Sequence, residues 1–268
     1  MDERRFGFIG TGHMGGALAR AVAGAIDGER ILLSNRTVCR AELLAEELGA
    51  VCVSVPECAE KSYYIFLGVK PQMLPELAEQ LVPILRARKD RFVLVSMAAG
   101  VPVERLHRLF NADWPVVRLN PNTPVAIGRG MGVWCSDGVS EAEEDELFDA
   151  LTPGGVWDRV PEKLMDVAGT LGGCTPAFTY MFIEALADGA VRCGLPRQKA
   201  LLYAAGAVEG AAALLRESGE HPGALKDAVC SPKGSTIVGV NVLEEHAFRA
   251  AAMDAICASV ERTEKMGR

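Results

Sequence analysis

The hydrophobic positions of this chain follow one pattern over the first 160 residues and another over the rest. In the first part, apolar runs of four to seven residues alternate with stretches whose apolar residues recur every three or four positions. Short apolar runs indicate buried strands, and the longer spacing indicates amphipathic helices. Strands that alternate with helices predict a doubly wound α/β fold with a parallel sheet. Ser140 and Glu143 have the spacing of a capping box, which predicts a helix from there to residue 151. The predicted strands are 6–9, 30–34, 50–55, 63–69, 91–96, 116–119, 130–135 and 156–160.

From Glu162 onward the pattern is helical, and we predict no strand there. Proline at the start of a periodic stretch and glycine just past its end are typical helix boundaries. The pattern therefore divides the chain into an α/β domain, 1–161, and an all-α domain, 162–268. The predicted helices of the second domain are 176–193, 196–218, one that ends at 229, 237–246 and 248–265.

Alanine and glycine are concentrated in the second domain, above all in 204–207 and 210–213. Alanine favours helices wherever it occurs, which is the simplest interpretation of these runs. However, the small residues form a face that is too weakly apolar for a core of its own and too smooth for a solvated face. We therefore expect this domain to pack against a second copy of the chain as an intertwined homodimer.

A glycine-rich turn, G-x-G-x-x-G, connects the first strand to the first helix. The first glycine permits a tight turn, the second lets a pyrophosphate approach the backbone, and the third lets the helix pack close to the strand. The free N–H groups and the positive dipole end of the helix then face the phosphates. The turn predicts a Rossmann-type dinucleotide site, although a turn that only serves close packing would show the same letters. Its residues are Gly10, Thr11, Gly12, His13, Met14 and Gly15.

The second predicted strand ends at Ser34, and Asn35 and Arg36 follow it, where an NAD-type unit carries an Asp or Glu for the ribose 2′-hydroxyl. Their donors suit a 2′-phosphate instead, because arginine holds phosphate through a planar fork of N–H groups. We therefore expect NADPH as the cofactor, with NADH as the alternative. A solvated surface arginine would be the simpler interpretation of Arg36. Lys70 follows the fourth strand and is therefore placed at the same carboxyl edge of the sheet.

The composition excludes several classes of function. The net charge is −7 and the pI about 5.3, so non-specific binding to nucleic acid is not expected. No apolar stretch is long and uninterrupted enough to cross a membrane. The eight cysteines are scattered without a C-x-x-C pair, which predicts reduced thiols in a cytoplasmic protein. The four histidines show no ligand spacing, so no metal site is predicted.

Taken together, the motifs resemble the pyrroline-5-carboxylate reductase family. Their order and spacing agree over essentially the whole chain, which is more specific than any single motif. The matching pieces are FIGTGHMGGA, SNR, VKPQ, SMAAGV, VVRLNPNTPV, PAFTYMFIEALADGAVRCGLPRQKA, SGEHPGALKDAVCSPKGSTI and VLEEHAFRAA. The resemblance implies an N-terminal Rossmann domain, a C-terminal helical dimerisation domain, and dimers that assemble further into rings of five. It also implies reduction of the cyclic imine Δ1-pyrroline-5-carboxylate to L-proline by NAD(P)H, the last step of proline synthesis.

The resemblance also assigns site residues. The substrate carboxylate would be held by Ser231, Lys233, Gly234, Ser235 and Thr236, in the loop before a predicted helix. The Thr236 hydroxyl would bond the substrate ring nitrogen and so act as the catalytic side chain. Ser235 and Thr236 are also typical of a simple N-cap pair, and the two interpretations are compatible. Cofactor contacts beyond the glycine turn and Ser34 to Arg36 would come from Val69, Lys70, Pro71, Met97, Ala98, Ala99 and Glu162.

The chain departs from the family pattern in two places. It has Gly172, Gly173 and Cys174 where the family usually reads S-G-S, and Lys233 where the family usually has glycine. Lys233 would either add a charge near the substrate carboxylate or simply point to solvent. The first departure motivates one alternative, a non-catalytic NADP-binding scaffold, because a fold alone does not establish activity. A second alternative is a β-hydroxyacid dehydrogenase, but the catalytic lysine of those enzymes has no counterpart in 169–177.

Overall fold

The computed structural model describes residues 4–266, within which eight strands form one sheet. The order across the sheet is 3-2-1-4-5-6-7-8. The chain steps outward from the first strand to the third, then returns to pair the fourth strand with the free side of the first. The doubly wound prediction is therefore confirmed, with the point of reversal at β1. The strands are β1 (Phe6–Ile9), β2 (Ile31–Ser34), β3 (Val51–Cys52), β4 (Tyr64–Leu67), β5 (Val93–Ser96), β6 (Val116–Asn120), β7 (Gly130–Asp137) and β8 (Gly155–Arg159).

The prediction of a parallel sheet is wrong for the last two strands. The first six strands are parallel, but β7 runs antiparallel to β6, and β8 is parallel to β7. The connection between β6 and β7 spans only residues 121–129 and contains a short 3₁₀ turn, Thr123–Ile127. A parallel pair needs a crossover of a dozen or more residues, so this short connection allows only the antiparallel pairing.

Helices cover both faces of the sheet. Alternate residues of each strand point to opposite faces. Phe6 and Phe8 pack with one layer of helices, whereas Ile9 packs with the other. The first layer is α1 (His13–Ala23), α2 (Val38–Leu48) and α6 (Glu141–Leu151); the second is α3 (Val55–Lys61), α4 (Leu74–Ala87) and α5 (Val103–Phe110). The capping box of α6 is present as predicted.

Helices α3 and α5 were not among the predicted elements. The strand predicted over 50–55 is wrong after Cys52, because Ser54 begins a helix there. The Ser54 hydroxyl accepts from the Glu57 N–H at 3.3 Å, and Pro56 lies in the first turn. A capping serine followed by proline is a strong helix start, and it takes precedence over the β-propensity of the valines around it.

The chain divides into two compact units. The sheet unit runs to Gly173 and also includes the end of the chain from Ser259; the helical unit is Cys174–Ala258. No strand occurs among the described residues after Glu162, as predicted. The predicted domain boundary after residue 161 stays a prediction. The helices are α7 (Met165–Arg192), α8 (Arg197–Ser218), α9 (Pro222–Ala228), α10 (Ser235–Glu245) and α11 (Phe248–Met266).

Taken as a single chain, the helical unit has almost no interior. Among residues 174–258, only Ala187 and Ala200 are buried. Large apolar side chains lie exposed along its helices instead, among them Tyr180, Met181, Leu202, Tyr203, Leu214, Val238 and Met253. Such an exposed apolar surface is typical of an interface with another protein chain. In the part of the chain that the structure describes, no helix is long and apolar enough to cross a membrane.

Candidate functional site

The three glycines of the G-x-G-x-x-G turn have three different geometries. Gly10 has a φ of 103°, and a Cβ there would lie 2.5 Å from the carbonyl oxygen of Gly68. Gly12 is the N-cap of α1, and a Cβ there would meet nothing within 4 Å. A side chain at Gly15 would overlap the carbonyl oxygen of Gly10. The turn is therefore tight at the first glycine, open at the second and closely packed at the third, as a dinucleotide fingerprint requires.

Thr11 lies in the same turn, and its hydroxyl is in an unusual environment. Thr11 is 8% exposed, and its Oγ1 is buried without a hydrogen-bond partner among the described residues. An unpaired buried hydroxyl costs about 1–3 kcal/mol, so such groups are usually explained by a water or ligand. The first N–H groups of α1 are also without intrahelical partners. This donor set fits the phosphates of a dinucleotide.

The loop after β2 presents a free cation beside this turn. The Ser34 carbonyl accepts from the Gly10 N–H at 2.8 Å, which joins the two loops. The Asn35 amide donates to the Thr37 carbonyl at 3.1 Å. Arg36 is exposed and makes no hydrogen bond or ion pair with any residue in the range 4–266. Its guanidinium is therefore available to a 2′-phosphate.

Two more loops complete this edge of the sheet. Lys70 is exposed and precedes a 3₁₀ turn, Pro71–Met73, shortly after β4. Met97 and Ala98 follow β5, with Ala98 buried. Strands β2, β1, β4 and β5 are consecutive neighbours in the sheet. The predicted cofactor residues of these four loops thus lie along one carboxyl edge, where ligands bind in open α/β sheets.

Gly68 also belongs to this edge, although it was not among the predicted site residues. A side chain there would overlap the Gly10 carbonyl oxygen and would lie 3.1 Å from Cε of Met97. The glycine therefore lets the β4 loop lie directly against the glycine turn. A glycine immediately after the apolar run that ends at Leu67 was the available signal, since close backbone approach requires glycine.

Glu162 has a different environment from the other predicted cofactor residues. Its Oε1 accepts from the Val103 N–H at 2.7 Å, at the start of α5, and lies 3.7 Å from Nη1 of Arg118. It lines an open cleft of about 620 Å³ whose walls contain none of the other predicted cofactor residues. Burial raises the pKa of the Cys135 thiol in that cleft to about 11, so the thiol stays protonated at neutral pH. A cofactor contact by Glu162 stays a prediction.

The predicted substrate residues form a turn before α10. The Gly234 N–H donates to the Ser231 carbonyl at 3.0 Å, which closes the turn. Lys233 has a φ of 62°, in the left-handed region that favours glycine. The N-cap of α10 is Gly234, and no side chain caps the helix. The interpretation of Ser235 and Thr236 as a capping pair is therefore wrong.

Ser235 and Thr236 are the first two residues of α10, and both are exposed in the single chain. Without a capping side chain, the N–H groups of the first turn remain free. A helix N-terminus with free N–H groups and a positive dipole end attracts a carboxylate. The arrangement can therefore hold an anion with backbone groups while the hydroxyls of Ser235 and Thr236 stay uncommitted to a cap.

The Gly172–Cys174 segment lies inside α7. The predicted start of this helix at Pro176 is wrong, since α7 begins at Met165 and continues through the proline. The Asn122 side chain donates from Nδ2 to the Gly172 carbonyl at 3.1 Å. Asn122 was not predicted as a site residue, although a polar side chain in a proline-rich loop after a buried strand was a usable signal.

The sheet with its point of reversal, the glycine turn and the helical second unit define a Rossmann-type, dinucleotide-dependent oxidoreductase. A family described as NADP oxidoreductase, coenzyme F420-dependent, matches residues 5–100, and one described as pyrroline-5-carboxylate reductase dimerisation matches residues 162–266. The pyrroline-5-carboxylate reductases of Escherichia coli strain K12 and Arabidopsis thaliana are each 36% identical to this chain. The alignments cover 99% of this chain and 99% of the first relative, and 100% and 97% for the second. The chain belongs to the pyrroline-5-carboxylate reductase family.

Solved structures agree with this assignment. The pyrroline carboxylate reductase of Plasmodium falciparum, determined with NADP bound, is 29% identical with a TM-score of 0.89 and covers 100% of both chains. The 1-pyrroline-5-carboxylate reductase of Streptococcus pyogenes is 28% identical with a TM-score of 0.87, over 97% of this chain and 98% of that one. The predicted resemblance is therefore confirmed, and it replaces the β-hydroxyacid dehydrogenase alternative. The family match over residues 162–266 identifies the helical region as a dimerisation domain.

Proposed function

We propose that this chain reduces Δ1-pyrroline-5-carboxylate to L-proline with NADPH, the last step of proline biosynthesis. The observation that carries the proposal is the match to named reductases over essentially the full length of both chains. The four loops at the carboxyl edge of the sheet would supply the groups that bind the cofactor, and the uncapped start of α10 would supply those that bind the substrate.

NADPH would be held at the carboxyl edge of the sheet. Gly12 and the start of α1 leave space and N–H donors for the pyrophosphate, and the Thr11 hydroxyl would gain the partner it lacks. Arg36 would bond the 2′-phosphate, which favours NADPH over NADH. When bound, the cofactor supplies the hydride for the reduction.

The substrate carboxylate would be held by the N-terminus of α10. Free backbone N–H groups there would donate to it, and Ser231 and Ser235 would add hydroxyl donors. Lys233 would contribute a positive charge from the same turn. Because carboxylate and imine belong to one small ring, this turn would also place the ring nitrogen beside the Thr236 hydroxyl.

Thr236 would bond the ring nitrogen and help to deliver the proton that the nitrogen gains as its carbon is reduced. The imine is already electrophilic, so the protein need only align the reactants and exclude water. A strong acid or base is not required, which agrees with a site built from backbone N–H groups and hydroxyls. The proposed reaction uses no metal ion.

We also propose that the chain forms a homodimer through the helical unit and assembles further into a pentamer of dimers. The exposed apolar side chains of 174–258 support the dimer. We further propose a cytoplasmic location. All eight cysteines are free thiols, which is usual in a reducing compartment.

The test is NADPH oxidation by the purified protein with Δ1-pyrroline-5-carboxylate, beside the six-membered piperideine carboxylate and a blank without imine. We expect rapid oxidation with the five-membered ring. NADPH binding without oxidation of either imine would contradict the proposal and favour the non-catalytic scaffold. Faster oxidation with the six-membered ring would keep the reaction type and overturn the substrate.

A further inference from the structure

Helix α7 contains a proline where its hydrogen bonds should be continuous. Pro176 lies inside the helix, which runs without interruption from Met165 to Arg192. In an α-helix, the carbonyl of each residue accepts from the N–H four positions later, and proline has no N–H to give. The carbonyl of Gly172 therefore loses its intrahelical donor at position 176.

The Asn122 side chain supplies the missing donor. Its Nδ2 donates to the Gly172 carbonyl at 3.1 Å, and its Oδ1 accepts from the Met131 N–H at 3.0 Å. These two partners fix the orientation of the amide, because a carbonyl can only accept and an N–H can only donate. Asn122 is 7% exposed, so the bond is shielded from water.

A second proline in the chain provides an internal comparison. Pro83 lies inside α4, where it removes the donor for the carbonyl of Glu79. Glu79 is exposed, so water can hydrate its carbonyl. Gly172 is only partly exposed, and a Cβ there would lie 3.2 Å from the Met131 carbonyl oxygen. Of the two carbonyls that lose a donor to proline, only the shielded one, that of Gly172, accepts a hydrogen bond from a buried side chain.

Three polar side chains contact α7 at points that lie about one turn apart along the helix, and Asn122 is the last of the three. Arg118 pairs with Asp166. Asn120 lies against Gly169, and a side chain at position 169 would overlap the Asn120 amide. Residues 118 and 120 belong to β6, and residue 122 follows it at the carboxyl edge of the sheet. The series connects the edge that holds the predicted cofactor residues to the turn of α7 that contains Gly172.

We infer that Asn122 is a positioning residue, which replaces the backbone donor that Pro176 removes and so holds the Gly172–Pro176 turn of α7 in place. The chain passes from the sheet unit to the helical unit within this turn. The expected effect on turnover rests on the proposed function. Asn122 itself need not contact either reactant.

The test is a double-mutant cycle between these two positions. Asn122→Asp keeps an acceptor for the Met131 N–H but cannot donate to Gly172, and Asn122→Ala removes both bonds. Pro176→Ala restores the N–H at position 176, so that the Gly172 carbonyl regains its own donor. The matched control is Pro83→Ala, which restores a helix N–H far along the sequence from this contact. Each variant is measured for kcat, for the KM of the imine, for NADPH affinity and for thermal unfolding.

We expect Asn122→Asp to lower kcat about tenfold, as for one buried hydrogen bond, with unchanged NADPH affinity. Most of the loss should return when Asn122→Asp is combined with Pro176→Ala, and none when it is combined with Pro83→Ala. An equal loss from Asn122→Asp with and without Pro176→Ala would overturn the inference, since the two positions would then be independent. If the wild-type protein fails to reduce the imine, the proposed function fails. The same coupling in thermal unfolding then still decides the inference about Asn122.

Discussion

At the residue scale, Thr236 is assigned chemistry because its hydroxyl is uncommitted and lies in the first turn of α10. We expect Thr236→Ala to lower kcat/KM about a hundredfold or more, by comparison with the loss of one donor to a developing charge. Thr236→Ser keeps the hydroxyl and should lose much less. NADPH affinity should be unchanged in both variants. Equal activity of the Ala and Ser variants would show that the hydroxyl has no role in the reaction.

Arg36 is the residue that we expect to select NADPH. Its guanidinium has no partner among the described residues, so binding a 2′-phosphate breaks no existing ion pair. Arg36→Asp should raise the KM of NADPH about ten- to a hundredfold, as for loss of a charge-assisted hydrogen bond, and leave the KM of NADH nearly unchanged. Arg40→Asp makes the same change of charge at an exposed position of α2 and serves as the control. A similar rise in both variants would indicate only a general effect of charge.

The individual residues of the cofactor edge were largely predictable, because glycines report backbone geometry directly. Gly10, Gly12 and Gly15 have the three geometries that the motif requires. Asn122 was not predictable in its role, because that role depends on a proline that lies 54 residues away in the sequence. Capping by Ser235 and Thr236 was predicted wrongly, since Gly234 takes the N-cap position and neither hydroxyl is needed for it.

At the scale of elements, Glu143 joins helix α6 to the sheet. Its carboxylate accepts from Nε of Arg91 at 2.5 Å, from the Tyr63 hydroxyl at 2.5 Å and from the Ser140 N–H at 2.8 Å. Its side chain is 2% exposed. The Arg91 guanidinium, with the Tyr63 hydroxyl and the Ser140 donors, holds the pKa of Glu143 well below its usual range despite burial, which acts in the opposite direction.

This depressed pKa predicts a pH dependence of stability. The carboxylate stabilises the fold fully above its unfolded-state pKa of about 4.3, and the contribution is lost as the pH falls from there toward the folded value. Glu143→Gln should lower the free energy of unfolding at neutral pH. On acidification, the variant should lose less of this free energy than the wild-type protein does. Urea unfolding at neutral pH and below pH about 4 measures both effects. Parallel stability curves for the two proteins would show that Glu143 is not a source of the acid sensitivity.

Element boundaries were predicted well where a single local signal decided them. Strands β1, β4 and β5 and helix α6 lie where short apolar runs and the capping box indicated. The start of α7 was wrong because proline usually marks a helix start, whereas here a side chain from another element compensates for it. The direction of β7 was wrong because strand periodicity carries no information on direction. The short connection between β6 and β7 was the better guide to the direction of β7.

At the scale of the whole molecule, the exposed apolar surface of the helical unit predicts a dimer. Leu202 in α8 is 69% exposed in the single chain. Leu202→Glu should shift the protein from dimer to monomer in sedimentation at micromolar concentration, because a charge would be buried at the interface without a partner. Leu43 in α2 is 68% exposed and belongs to the sheet unit, so Leu43→Glu is the matched control and should remain dimeric. A wild-type protein that sediments as a stable, active monomer would contradict the prediction.

The proposed reaction is tested most directly by following the transferred hydrogen. NADPH deuterated at both C4 positions is supplied with Δ1-pyrroline-5-carboxylate and the wild-type protein, and the product is analysed by mass spectrometry and NMR. We predict proline with a single deuterium on the ring carbon that is bonded to nitrogen but does not bear the carboxylate. Proline without deuterium, or no consumption of NADPH in the presence of the imine, would contradict the proposed function.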